Sequence, residues 1–170
     1  ANFNAKGIAE TKFIQRGNSA YVIVEGPTWE EAEANANKLG GHLVTINDGE
    51  EFEWIYSEFS KEKYFYEESF SEGHLPNTPT NWTHFYLGAT DREIEGEWKW
   101  LDGTEYGLES FSGEPPDEAG TQDYLFSVFN HPGVHTFDGK TVHWDDIPNQ
   151  HYYLKGIAEI ELAPNNAPTG

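Results

Sequence analysis

Three stretches of this chain gather side-chain oxygens beside residues that stiffen the backbone. The first is Gly88-Ala-Thr-Asp91-Arg-Glu-Ile-Glu95-Gly-Glu-Trp98-Lys-Trp100. The second is Gly113-Glu114-Pro115-Pro116-Asp117, followed by Gln122-Asp123-Tyr124, and the third is Trp144-Asp145-Asp146. Ca2+ is a hard cation that takes about 6–8 oxygen ligands at about 2.3–2.6 Å, so carboxylates spread over three segments fill its shell only if the fold brings those segments together. Solvated loop acids are the plainer explanation in an acidic chain. A Trp, a Gly or a Pro-Pro beside each cluster argues instead for positioned ligands. A cis bond at Pro115 or Pro116, inexpensive for an X–Pro peptide, would aim Glu114 and Asp117 into one concavity.

The elements that must carry these segments are legible in outline. Gly7 to Gln15 reads as an extended segment and Ala20 to Val24 as a short strand. Thr28-x-x-Glu31 is a capping box, and Trp29, Ala32, Ala36 and Leu39 follow at helical spacing until Gly40-Gly41 stops the helix. Leu43 to Ile46 reads as a short buried strand. Asp48-x-x-Glu51 opens a second helix whose inward face is Phe52, Ile55 and Phe59. Phe85 to Ala89, Trp98 to Leu101, Tyr124 to Phe129 and Ile157 to Leu162 are the remaining strand candidates, while residues 60–84 give no clear element. Lys6-Gly-Ile-Ala-Glu10 recurs as Lys155-Gly-Ile-Ala-Glu159, which suggests terminal strands that pair and bring the chain ends together.

Taken jointly, these segments resemble the C-type lectin domain over roughly residues 19 to 162. Phe85-Tyr-Leu-Gly-Ala-Thr-Asp91 with Gly96-Glu-Trp-Lys-Trp100 is similar to the family's WIGL strand and following loop. Gly113-Glu114-Pro115 resembles the start of its EPN motif, and Trp144-Asp145-Asp146 its WND motif. Thr28-Trp29-Glu-Glu-Ala32, Gly41-His-Leu-Val-Thr45 and Glu50-Glu-Phe-Glu-Trp54-Ile55 are similar to the two-helix half. The resemblance implies an α+β fold, with two helices packed on small antiparallel sheets and a long calcium-binding loop region. It places a sugar-binding Ca2+ on Glu114, Gln122, Asp145 and Asp146, with Pro116 falling where the family has an amide ligand. A one-residue insertion would instead give those roles to Asp117 and Asp123; both registers keep Glu114, Asp145 and Asp146. A second, structural Ca2+ carries over onto Asp91, Glu95, Asp117, Gln122 and Asp123.

The resemblance implies binding rather than catalysis. Two adjacent sugar hydroxyls would each give a lone pair to the ion and donate to its carboxylate ligands, so the expected partners are cell-surface glycans bearing a neutral vicinal diol, of fucose or mannose type. His143 would line the sugar site beside Glu114, Gln122, Asp145 and Asp146. A protein- or peptide-binding module with purely structural calcium is the alternative, favoured by Pro116. An enzyme is disfavoured, because the acids cluster as ligands and no Ser/His or Cys nucleophile constellation accompanies them. His131, His135, His143 and His151 do not follow a common zinc spacing.

Charge and composition agree with this class. The chain has 170 residues, with Lys+Arg 10 against Asp+Glu 30 and a net charge of −20. That field repels nucleic-acid phosphates and anionic head groups, so neither is an expected partner. At 36% hydrophobic and 15% aromatic the chain can nevertheless fill a core, and bound divalent cations would relieve the self-repulsion. There is no cysteine, whereas vertebrate C-type lectins are usually disulfide-stapled, and Tyr124 stands where a half-cystine of the family would fall. A cysteine-free bacterial domain of the kind found in large RTX-type surface adhesins fits this pattern. Residues 1–162 are expected to form the ligand-binding domain. Residues 163–170, Ala-Pro-Asn-Asn-Ala-Pro-Thr-Gly, read as a linker toward an extender domain of a longer multi-domain adhesin. No hydrophobic run long enough for membrane insertion is present, and the expected location is the extracellular cell surface.

Overall fold

A computed structural model describes residues 13–26, 28–61, 83–104, 111–112, 123–129, 135–137, 140–147, 149 and 155–162. In chain order the elements are β1 (Ile14–Arg16), β2 (Ser19–Val24), α1 (Trp29–Lys38), β3 (His42–Leu43), α2 (Gly49–Phe59), β4 (Thr83–Thr90), β5 (Lys99–Trp100), β6 (Phe111–Ser112), β7 (Tyr124–Phe129), β8 (His135–Phe137), β9 (Lys140–Ile147) and β10 (Lys155–Glu161). Eight strands run in the order β1-β2-β10-β4-β7-β9-β8-β6, with β3 added to β10 and β5 to β4. Among the described residues, only the β10–β4 pairing is parallel; the other described pairings are antiparallel.

The helices begin and end where side chains satisfy the otherwise orphaned backbone groups. Thr28 Oγ1 accepts from the Glu31 N–H at 3.1 Å, and Asp48 Oδ1 accepts from the Glu51 N–H at 2.7 Å, the N-cap arrangement expected of these residue types. Helix α1 closes with the Gly41 N–H on the Ala36 carbonyl and the Gly40 N–H on that of Asn37. This paired closure needs a left-handed residue at Gly40, whose φ is +86°.

Alternation along the central strands divides one sheet between two cores. Tyr21, Ile23, Phe85, Leu87, Leu125 and Phe129 join Phe52, Ile55 and Phe59 of α2. Their neighbours Val22, Val24, Tyr86, Phe126 and Val128 join Trp29, Ala32 and Ala36 of α1. Period-2 side chains on a sheet covered on both faces produce the near-continuous apolar runs at Phe85-Tyr-Leu and Tyr124-Leu-Phe. No described helix is long and apolar enough to cross a membrane.

Residues 6–10, the expected partner of 155–159, lie outside the described residues, and the described partners of β10 are other strands. One edge is filled by β2, from Gly156 opposite Val24 to Glu161 opposite Ser19. The other edge is filled by β4 at Lys155 and Gly156 and by β3 at Ala158 and Glu159. A strand has two hydrogen-bonding edges, and both are occupied. Leu162 N–H donates to the Asn18 carbonyl at 2.6 Å, so the end of β10 meets the turn of the β1–β2 hairpin.

A buried and a half-buried carboxylate, Glu51 and Glu33, give the fold a distinctive pH response. Glu51 accepts from the Asn47 N–H at 2.9 Å and from the Tyr21 hydroxyl at 3.2 Å. Burial raises its pKa above the usual 4.5. Burial likewise raises that of Glu33, which accepts from the Leu43 N–H at 2.7 Å. A carboxyl with a raised folded-state pKa binds its proton more readily when folded, so stability grows as pH falls from the folded pKa toward the unfolded one. Asp102 has the opposite sign. Burial alone would raise its pKa, but hydrogen bonds from Thr104, Asn47 and Thr45 hold it below 3.8. Its contribution is therefore lost only at still lower pH. In chelator, melting temperature should rise as pH falls from neutrality toward the usual carboxylate range. Thermal scans of an E33Q/E51Q variant should show a flatter profile; an equally steep one would remove these two groups as the cause.

Candidate metal centre

The loop after β4 folds a carboxylate inward. Asp91 is only 3% exposed. Its N–H donates to the Asp123 carbonyl at 3.2 Å, and the Thr90 hydroxyl donates to that same carbonyl, so the ends of β4 and β7 are stitched together. Asp91 Oδ2 accepts from the Gly96 N–H at 2.9 Å. Gly96 has φ +83°, a left-handed turn that brings the chain back on itself and returns Glu95 to Asp91.

Asp91, Glu95 and Asp123 thereby converge, with one oxygen from each lying within 4.8 Å of the others. Two ligands at about 2.3–2.6 Å from a common Ca2+ lie at most about 4.6–5.2 Å apart, so the spacing admits an ion. Asp91 Oδ1 is buried without a hydrogen-bond partner among the described residues. An oxygen in that condition normally costs stability unless something binds it. Asp91 has a raised pKa, first because it is buried and then because the Glu95 and Asp123 carboxylates repel its charge. All three observations ask for a cation. Exposure of Glu95 and half-exposure of Asp123 leave a route in from solvent.

Strand β9 brings the third acidic segment to the same edge. Its register sets Asp146 opposite Leu125 and Asp145 opposite Phe126, with His143 opposite Val128. The Trp144-Asp145-Asp146 motif therefore runs beside the strand that Asp123 immediately precedes. The remaining expected ligands, Glu114, Asp117 and Gln122, and the peptide bonds of Pro115 and Pro116, lie outside the described residues. So do His131 and His151.

Sequence reasoning missed a second polar group beside the cluster, centred on Glu30 in the first turn of α1. Its carboxylate accepts from the Tyr124 hydroxyl at 2.7 Å and from Asn149 Nδ2 at 3.0 Å, and lies 3.6 Å from an Arg92 guanidinium nitrogen. The Glu30 N–H donates back to Asn149 Oδ1 at 3.1 Å. Arg92 also sits over the Trp29 ring, 5.6 Å from its centroid, and Tyr124 stacks on Trp29 at 4.5 Å. Burial, and then the neighbouring Glu30, push the Tyr124 hydroxyl up to about 12. The signal in the sequence was the placement of Arg92, one of few cations, directly after Asp91.

Comparison with known proteins agrees with this architecture. The profile of the family described as Lectin C-type domain matches residues 25–124. Mouse C-type lectin domain family 4 member E is 28% identical over 138 residues, covering 81% of this chain and 53% of that protein. The chain thus spans about half the length of that relative. Among solved structures, the mouse scavenger receptor C-type lectin carbohydrate-recognition domain superposes with a TM-score of 0.59 at 23% identity, covering 91% of this chain and 97% of that one. The cow carbohydrate-recognition domain of CD23, solved in the presence of a GlcNAc2Man3 oligosaccharide, gives 0.61 at 19% identity, covering 93% and 99%.

Proposed function

This chain belongs to the C-type lectin domain family, and we propose that it is a calcium-dependent carbohydrate-binding domain serving adhesion at an extracellular cell surface. The observation that carries the reading is the buried Asp91, one oxygen of which has no hydrogen-bond partner among the described residues, converging with Glu95 and Asp123. Ca2+ held there would clamp the long loop. A second ion on Glu114, Gln122, Asp145 and Asp146, with Asp117 and Asp123 in the alternative register, would face the ligand.

When bound, Ca2+ supplies Lewis-acidic positions for two neighbouring sugar hydroxyls. The protein's own part is to accept the hydrogen bonds those hydroxyls donate, through carboxylates such as Asp145 and Asp146, and to return one from the Gln122 amide. His143, two residues before Asp145, would pack at the sugar's edge. Acidic acceptors and a net charge of −20 disfavour sialylated and sulfated glycans, leaving neutral vicinal diols of the fucose and mannose type. Such open sites bind single sugars weakly. Many copies on a surface, joined through linkers such as 163–170 in a longer bacterial adhesin, would raise the effective affinity.

A glycan array run with calcium and again with chelator tests the proposal. Neutral glycans of this type should bind with calcium and be lost without it. Signal confined to acidic glycans would contradict the diol mechanism. Binding only to polypeptides would favour the protein-binding alternative, whose support is Pro116 at the position of the family's amide ligand.

A further inference from the structure

We infer that Glu30 is a positioning residue for the metal centre, holding the three ligand-bearing segments in register and keeping Arg92 out of the site. The inference rests on the calcium reading of Asp91, Glu95 and Asp123.

Each partner of the Glu30 carboxylate is close in sequence to a proposed ligand. Arg92 follows Asp91, Tyr124 follows Asp123, and Asn149 lies just beyond Asp145 and Asp146. Glu30 itself sits on α1, whose Trp29 is fully buried and donates its indole N–H to the Leu87 carbonyl at 2.8 Å. One carboxylate on a rigid element thus ties together the end of β4, the start of β7 and the segment after β9. No disulfide braces these segments, since the chain has no cysteine, so beyond the backbone ladders of β4, β7 and β9 it is side-chain hydrogen bonds that brace them. Groups that orient ligands in this way usually matter almost as much to metal affinity as the ligands themselves.

The charge of Arg92 makes the second half of the argument. A guanidinium one residue from Asp91, in a chain with 30 acids and 10 Lys+Arg, would find the three-carboxylate cluster an attractive partner. There it would act as an internal counter-ion competing with Ca2+. In the structure it is turned toward α1, held by Glu30 at 3.6 Å and by the face of Trp29. Removing Glu30 would both loosen the ligand segments and release this competitor.

Calorimetric titration with Ca2+ alone, on purified full-length chain, tests both parts. E30A should weaken calcium binding about tenfold, whereas E50Q, which removes an exposed charge from α2, should change it less than about twofold. Y124F keeps the ring on Trp29 and loses only the hydroxyl, so it guards against misfolding and should also weaken binding. R92Q should raise affinity more in the E30A background than it does alone in the wild type. Such non-additivity marks a charge that competes once Glu30 is gone and would not arise from a general loss of stability. Wild-type affinity in both E30A and Y124F would overturn the positioning role, and an R92Q gain no larger in E30A than in the wild type would overturn the sequestration of Arg92. A wild-type chain that takes up no calcium would overturn the underlying reading along with the inference, and is distinguished by needing no variant to show it.

Discussion

Calcium at about a hundredfold excess over its Kd should raise the melting temperature by roughly 5–11 °C relative to chelator. The range follows from about 2.7 kcal/mol of binding linkage and about 2–4 °C per kcal/mol for a chain of this size. Asp91 supplies the reason. In the ion-free protein it holds a buried charge with one oxygen unpartnered among the described residues and two carboxylates nearby, an arrangement that destabilises the fold until a cation arrives. The D91N variant sharpens the test because it separates two effects. The amide oxygen can still accept from the Gly96 N–H, while the buried charge is removed. D91N should therefore melt at or above the wild type in chelator, yet lose the share of the calcium-induced gain that this cluster carries. Differential scanning calorimetry with and without chelator reads both. A wild-type transition unmoved by calcium would exclude a stabilising ion at this cluster, and a D91N protein that still responds fully would locate it elsewhere.

Local chemistry explains which parts of this molecule could be read in advance. Thr28 and Asp48 mark their helices because an N-cap needs only a nearby backbone amide, and both capping contacts form. The runs at β4 and β7 were legible because a strand buried on both faces has few polar positions to interrupt it. Asp91, Glu95 and Asp123 were identified through resemblance. Their convergence depends on Gly96 and on the β4–β7 junction, neither of which is encoded by spacing alone. Glu30 went unrecognised because its partners come from positions 92, 124 and 149, contacts that only the tertiary fold creates.

The same separation of fold from ligand chemistry sets the expected behaviour of D146A. Asp146 pairs with Leu125, a fully buried residue on β7, which is flanked in the sheet by β4 and β9. Ladder hydrogen bonds are made by the backbone, so an alanine keeps the strand in place. In chelator its melting temperature should stay within about 2–4 °C of the wild type, equivalent to roughly 1 kcal/mol. The calcium-induced rise carried by Asp91, Glu95 and Asp123 should largely survive. Sugar binding should not, because Asp146 is proposed both to ligate the ion and to accept from a sugar hydroxyl. A loss of roughly 100-fold or more in affinity, about 2.8 kcal/mol, is expected. Titration of wild type and D146A with the glycan that scores highest on the array, each with calcium and with chelator, decides the matter. Wild-type affinity in D146A would take this residue out of the site. Wild-type binding that persists in chelator would take calcium out of recognition altogether, leaving the buried Asp91 cluster a role in stability alone.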